Sequence, residues 1–287
     1  MSWERQVSIK SKEELILMRA AGIINAEALK AASQACIPGA TTWDVNEAAD
    51  AVLRSYHCIS PFKGVPGPIP FPASTCVSVN QIMVHGIPSK KIVLKEGDIV
   101  SVDCGTVYEG YVADSAITIG VGKVSDEAEK IMEVTEASLY EAVKMMVAGN
   151  HTGDVSYSVQ KYVESHGFYV TKQYTGHGVG RRMWEAPQVP NYGTPGQGLL
   201  LRPGITIAIE PMVLIGTEAT KVIKDGWGVS SANDKLTCHF EHTIAVTEEG
   251  PRITTLLENG EPPVRTSKCP YQVAPDIEGA IRPKKVA

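Results

Sequence analysis

Ile99-Val100-Ser101-Val102-Asp103-Cys104-Gly105 and its return, Tyr111-Val112-Ala113-Asp114-Ser115-Ala116, decide how this chain is read. Both segments are dominated by β-branched and aromatic residues, and Glu109-Gly110 between them supplies a turn. The pattern predicts two strands, over 98–107 and 111–120, paired as a hairpin. Each strand carries an aspartate inside an apolar run. A carboxylate is costly to bury unless it is paired, hydrogen-bonded or bound to a metal ion. The hairpin is therefore a fold element and a candidate site at once.

Upstream, Ser11-Lys12-Glu13-Glu14 has the form of a capping box and precedes the apolar positions Leu15, Ile16, Met18 and Ala21. It predicts a helix to about Ala35, stopped by Ile37-Pro38-Gly39, and then a second from about Thr42 to Ser55. The Pro/Gly-rich stretch 60–72 excludes regular structure. Downstream the plan recurs, with helices over Ser125–Val147 and Asp154–Ser165 and strand-like runs over 204–214 and 239–247. A shift of 110 residues lays Gly39, Thr42, Asp44 and Val45 over Gly149, Thr152, Asp154 and Val155. Four matches between amphipathic helices can arise by chance. The same order of helix, turn, helix and paired strands in both halves points instead to internal duplication. The expected fold class is α+β, one domain over residues 1–250 built from halves of about 11–121 and 122–250, helices outside and sheet within. The composition shifts after Glu249, and 251–287, with Pro262, Pro263, Pro270, Pro275 and Pro283, reads as a C-terminal extension, wrapping or partly disordered.

Of 287 residues, 43% are hydrophobic and 21% charged, the balance of a folded globular protein. A formal net charge of -5 gives no support to a nucleic-acid-binding role. The start Met1-Ser2-Trp3-Glu4-Arg5 does not read as a secretory signal, and no run approaches the roughly 20 apolar residues of a membrane span. Six cysteines (Cys36, Cys58, Cys76, Cys104, Cys238 and Cys269) without a C-x-x-C pair argue for reduced thiols rather than a disulfide framework. These readings place the chain in the cytoplasm, with no membrane and no nucleic acid as partner.

Two more carboxylates stand in strand-like runs: Glu210 in Ile205-Thr206-Ile207-Ala208-Ile209-Glu210-Pro211-Met212, and Glu241 in His239-Phe240-Glu241-His242-Thr243. Any one of the four acids could be a buried group held by hydrogen bonds; four together are hard to explain so. In Thr175-Gly176-His177-Gly178-Val179-Gly180, the segment after the glycines does not announce the helix that a phosphate-binding loop needs. Glycines flanking a histidine suit a backbone that passes close to something and presents one imidazole. Four carboxylates and an imidazole form a hard, oxygen-rich donor set, which favours two adjacent divalent ions such as Mn, Fe(II), Co or Zn. Paired ions of this kind serve in peptide and phosphate-ester hydrolysis.

The order Asp103, Asp114, His177, Glu210, Glu241 resembles the metal-ligand pattern of the type I methionine aminopeptidases. Phe71-Pro72-Ala73-Ser74, Val84-His85-Gly86-Ile87-Pro88, Gly97-Asp98-Ile99-Val100, Glu210-Pro211-Met212 and Phe240-Glu241-His242-Thr243 support the resemblance, which spans roughly residues 10–257. It implies the pita-bread fold, two pseudo-symmetric halves with a central antiparallel sheet and outer helices. It implies removal of the initiator methionine from nascent proteins when the second residue is small, by attack of a metal-bridging hydroxide. Asp103 would hold one metal and His177 and Glu210 the other, with Asp114 and Glu241 bridging. Glu210 would relay the proton and His85 would hydrogen-bond the scissile amide. Phe71, Cys76, Met183, Trp184 and Trp227 fall where the family binds its substrate. A monomer in transient contact with the ribosome is the corresponding assembly.

Two positions depart from that pattern. Trp184 stands where the family usually has a second histidine, and its indole donates one hydrogen bond but does not titrate. His239 stands where glutamine is more usual, on the strand face of Glu241 by the period-2 rule. A prolidase or aminopeptidase P would use the same five ligands but usually carries an extra N-terminal domain. A pita-bread protein that only binds partners would tend to have lost ligands, and here all five remain.

Overall fold

The computed structural model describes residues 7–266 and 275–286; Met1–Arg5, Cys269 and Pro270 lie outside the described residues. In chain order the elements are α1 (Lys12–Ala35), α2 (Thr42–Ser55), β1 (Thr75–Val79), β2 (Ile82–Val84), β3 (Ile99–Tyr108), β4 (Tyr111–Gly120), α3 (Asp126–Met145) and α4 (Thr152–Ser165). Ten short strands follow: β5 (Tyr169–Val170), β6 (Thr175–Gly178), β7 (Glu185–Pro190), β8 (Thr206–Ile209), β9 (Met212–Leu214), β10 (Thr220–Val222), β11 (Val229–Ser231), β12 (Thr237–His239), β13 (His242–Thr247) and β14 (Gly250–Ile253).

The hairpin forms as the sequence predicts, β3 against β4 from Ile99↔Gly120 to Tyr108↔Tyr111, with Glu109 and Gly110 both at positive φ in the turn. Helix α1 opens with the capping box Ser11/Glu14 and lies across the hairpin. Its buried Asn25 donates to the Cys104 carbonyl and accepts from the Ser115 hydroxyl, which holds the middle of the hairpin against the helix.

The two halves make corresponding hydrogen bonds. In the first half, Gly39 N–H donates to Leu94 O, Thr42 N–H to Ile92 O and Leu94 N–H to Ala40 O. In the second, Gly149 donates to Leu201 O, Thr152 to Leu199 O and Leu201 to Asn150 O. The N3 aspartate of each second helix, Asp44 or Asp154, accepts from the N-cap backbone of Thr41 or His151. Gly39 and Gly149 take nearly the same positive φ, 91° and 95°, a conformation open to glycine at little steric cost. One core joins the halves, with Ile24, Leu53, Val102 and Ile117 continuous with Leu139, Val159, Ile207 and Ile244.

The runs 204–214 and 239–247 are not continuous strands. The first breaks at Glu210-Pro211 into β8 and β9, and the second at Phe240-Glu241 into β12 and β13. β8 and β13 belong to the sheet β14-β13-β8-β6-β7, whereas β9 and β12 belong to β12-β9-β5. Beside them stand β1-β3-β4 and β10-β11-β2, every pairing antiparallel. A proline has no N–H for the ladder, so Pro211 is a natural place to change sheets. The central sheet of the expectation is thus a set of pieces, and the bridge Ala116↔Glu241 ties the first half to the second.

On either side of that bridge a threonine hydroxyl replaces the missing ladder bonds. Thr243 Oγ1 accepts from Asp114 N–H (3.1 Å) and donates to Asp114 O (2.8 Å). Thr118 Oγ1 accepts from His239 N–H (3.2 Å) and donates to His239 O (2.7 Å).

The sheet does not end where the composition shifts: β14 pairs with β13 through Ile253, and the later chain is stapled to α1. Arg19, fully buried, donates to the carbonyls of Thr254, Leu256 and Leu257 and to Asp276. Ile277 packs on Leu15 and Ala245, and Val286 N–H reaches Ser55 O at the end of α2. The described part of the extension therefore wraps the N-terminal helices. Arg19→Met leaves two buried carbonyls and a part-buried one without their donor and should cost about 3–5 kcal/mol. Urea unfolding of the two proteins measures this, and equal stability would contradict the staple.

Candidate metal centre

Eleven of the residues singled out from the sequence line one cavity of about 460 Å³: Asp103, Asp114, His177, Glu210, Glu241, His85, Phe71, Cys76, Met183, Trp184 and Trp227; His239 does not. Each element delivers its residue for a local reason. Asp103 and Asp114 come from the hairpin, Asp114 with its backbone clamped by Thr243. Glu241 comes from the bridge to Ala116. Glu210 sits at the β8/β9 break, where Asn191 Nδ2 donates to its carbonyl at 2.8 Å. His177 rides on β6 between β7 and β8. A Cβ at Gly176 would meet Ala208 O at 2.5 Å, and one at Gly178 would meet Ala186 O at 2.2 Å. The flanking glycines let that strand slot between its neighbours with the imidazole facing the acids.

His177 Nε2 lies 3.6 Å from Asp114 Oδ2 and 3.7 Å from Glu210 Oε1. Its Nδ1 lies 2.9 Å from Gly178 O. A carbonyl only accepts, so Nδ1 carries a hydrogen, and Nε2 is the ring atom turned to the acids. Ligand atoms of Asp114, His177 and Glu241 lie within 4.8 Å of one another. Asp103 Oδ1, Asp114 Oδ1 and Glu241 Oε1 are buried with no hydrogen-bond partner. Buried carboxylate oxygens left bare are the signature of a cation site, and the donor set fits divalent ions.

The electrostatics agree. Burial, and then the charges of Asp114 and Glu210, hold Asp103 well above the usual carboxylate range. Burial and the charges of Asp114, Glu210 and Asp103 do the same to Glu241. Burial pushes Glu210 up to about 8, although the His177 charge opposes it. Burial also works against charge on His177, yet Asp114 and Glu210 outweigh it and lift the imidazole to about 9.

Beside the acids, Phe71, Cys76 and Met183 form a buried apolar cluster on which Trp227 packs. The Trp227 ring meets Phe71 edge-on at 5.2 Å, and its Nε1–H donates to Ile69 O at 2.9 Å. The proline-rich loop therefore closes one wall; a Cβ at Gly67 would run into the Trp227 ring at 2.2 Å. Burial drives the Cys76 thiol well above its ordinary value, which keeps it neutral. Trp184 is different: it is 54% exposed and stands at the rim. His85 takes a left-handed backbone, φ 59°, unusual for a residue with a side chain. Burial lowers its proton affinity. Tyr174, edge-on to His85 at 5.8 Å, and Gln188, in register with His177, also line the cavity and were not singled out from the sequence. Tyr174 directly precedes Thr175-Gly176-His177-Gly178, so its place was the available signal.

The sequence pattern of metallopeptidase family M24 matches residues 16–248. The methionine aminopeptidase of Clostridium acetobutylicum is 45% identical over 88% of this chain and all of that protein. The crystal structure of a methionine aminopeptidase from Thermotoga maritima superposes with TM-score 0.84, at 44% identity, over 87% of this chain and 99% of that one. A prolidase from Pyrococcus furiosus shares the pita-bread fold at TM-score 0.69 and 22% identity, and the chain covers 66% of it.

Without cations the folded site holds protons on Glu210 and His177 that the unfolded chain gives up from about pH 4.5 and 6.5 upward. Both values are raised on folding. The stability these groups contribute is therefore full below the unfolded values and is lost as pH rises through about 8 and 9. Bound cations displace those protons. The rise in Tm on adding Mn(II) to chelator-stripped protein should therefore grow from about pH 6 to about pH 8.5. Differential scanning fluorimetry reads it, and a rise that shrinks with pH would contradict the site.

Proposed function

The chain belongs to metallopeptidase family M24, and on that premise we propose that it is a methionine aminopeptidase, removing the initiator methionine of nascent polypeptides when the second residue is small. The observation that carries the reading is the convergence of Asp103, Asp114, His177, Glu210 and Glu241 on one cavity, bare carboxylate oxygens inward, beside an apolar, sulfur-containing pocket. The high identity to methionine aminopeptidases over their full length supports this reading over the prolidase alternative.

In this proposal the five residues hold two divalent ions, Mn, Fe(II), Co or Zn. Such ions supply Lewis acidity and make water acidic enough to attack at neutral pH. Phe71, Cys76, Met183 and Trp227 take up the methionine side chain; a thioether suits an apolar, aromatic and thiol-lined slot. The surrounding carboxylates attract the substrate's free α-amine, which confines cleavage to the chain end. Glu210 takes the proton of the attacking water and returns it to the leaving amine. His85, neutral and fixed by its strained backbone, hydrogen-bonds the scissile amide. Trp184 at the rim offers an indole N–H towards the substrate carbonyl. The enzyme works as a cytoplasmic monomer, in transient contact with the ribosome; no described helix is long and apolar enough to cross a membrane.

Chelator-stripped protein given back Mn, Fe(II), Co or Zn singly should release methionine from Met-Ala-Ser and not from Met-Leu-Ser, followed by mass spectrometry. Glu210→Gln should lower kcat by about 10²–10⁴. Absence of release with every metal would overturn the proposal. Trp184→His replaces a donor that does not titrate with one that can carry charge to the developing oxyanion and should raise kcat, by up to about 10²-fold. A kcat lowered by this change would show that the indole is the better partner.

A further inference from the structure

His239 ends β12 with its side chain wholly inside the protein and with no hydrogen-bond partner on Nδ1 or Nε2. Its backbone is not free to move, because Thr118 holds both its N–H and its carbonyl and it pairs with Met212 on β9. A neutral imidazole has one donor and one acceptor, and a purely structural histidine this deep ordinarily finds a partner for each. The nearest charged groups within reach are those of the metal centre. Nε2 lies 3.8 Å from Glu210 Oε2 and 3.7 Å from Glu241 Oε2, just beyond hydrogen-bond range of both.

The orientation of the two carboxylates gives those distances a meaning. Glu210 turns Oε1 to His177 and Oε2 to His239. Glu241 likewise turns Oε2 to His239, while its Oε1 is one of the bare buried oxygens. Glu210 and Glu241 line the cavity, but His239 does not; it stands behind them. An imidazole that faces one oxygen of each of two ligand carboxylates, without itself lining the cavity, is placed to orient them.

We propose that His239 is a positioning residue, whose Nε2–H is shared between Glu210 Oε2 and Glu241 Oε2 when the centre is loaded and so fixes the oxygen each presents to the metal ions. An approach on the order of 0.5–1 Å brings either contact within range. The carboxylates accept, the imidazole donates, and Nδ1 remains a bare acceptor. Glutamine, the residue usual at this position in the resembling family, carries two amide hydrogens on one nitrogen and can serve both carboxylates. The inference rests on the metal-centre reading above, and the test separates the two.

Mn(II) is titrated into the chelator-stripped full chain by calorimetry, and Co(II) visible spectra are recorded, for wild type, His239→Gln and His239→Leu. Thermal unfolding of each metal-free protein checks the fold, and His239→Met replaces His239→Leu if the latter does not fold. Partners of this kind change metal affinity by about 10–100-fold, so His239→Leu should bind Mn(II) weaker by that factor and His239→Gln within about threefold of wild type. Wild-type affinity in a folded His239→Leu would overturn the proposal. So would equal loss in both variants with a Co(II) spectrum missing one nitrogen donor, which would make His239 a ligand itself. A wild-type protein that takes up no Mn(II) would overturn this inference together with the metal centre; a wild type that binds while His239→Leu binds equally well overturns this inference alone.

Discussion

Four carboxylates meet in one cavity, and their mutual repulsion is the constraint that the rest of the structure accommodates. Burial and neighbouring charges hold Asp103, Glu210 and Glu241 above the ordinary carboxylate range. A pocket of this kind is stable only with protons or cations in it, and the bare oxygens of Asp103, Asp114 and Glu241 face inward without any protein donor. The fold supplies rigidity where it cannot supply neutralisation. The Ala116↔Glu241 bridge and the threonine clamps at Asp114 and His239 fix three backbone positions at the seam between the halves.

The same constraint accounts for the interrupted sheets. A continuous strand alternates its side chains between two faces, and the donors here must converge from several strands instead. The breaks at Glu210-Pro211 and Phe240-Glu241 send β8 and β13 to one sheet and β9 and β12 to another, with the two glutamates at the corners. Strands from both halves meet at this seam, through the Ala116↔Glu241 bridge. The two halves contribute unequally: the first gives both aspartates and the second gives both glutamates and the histidine.

Much of this was legible in the sequence because it is local. The hairpin and the bounds of α2 follow from apolar periodicity and capping residues, and the start of α1 from Ser11 and Glu14. The five converging residues were legible as anomalies, acids inside apolar runs and a histidine between glycines. The strand breaks were not, because Ile205–Ile209 and Met212–Leu214 read as one β-branched run; Pro211 was the only local sign. Strands of two or three residues such as β2 and β5 exist only through distant partners, and no periodicity announces them. His239 does lie beside Glu241, but not by alternation along one strand, since the chain turns between β12 and β13. The Arg19 staple joins positions more than two hundred residues apart and left no local trace.

The central claim is that the cavity is a two-ion centre held by these five residues. Anomalous diffraction at the Mn edge, from crystals grown with Mn(II), tests it without reference to any substrate. The account predicts two peaks about 3.5–4 Å apart, enclosed by Asp103, Asp114, His177, Glu210 and Glu241. No peak among those residues, or one bound elsewhere on the protein, would contradict it.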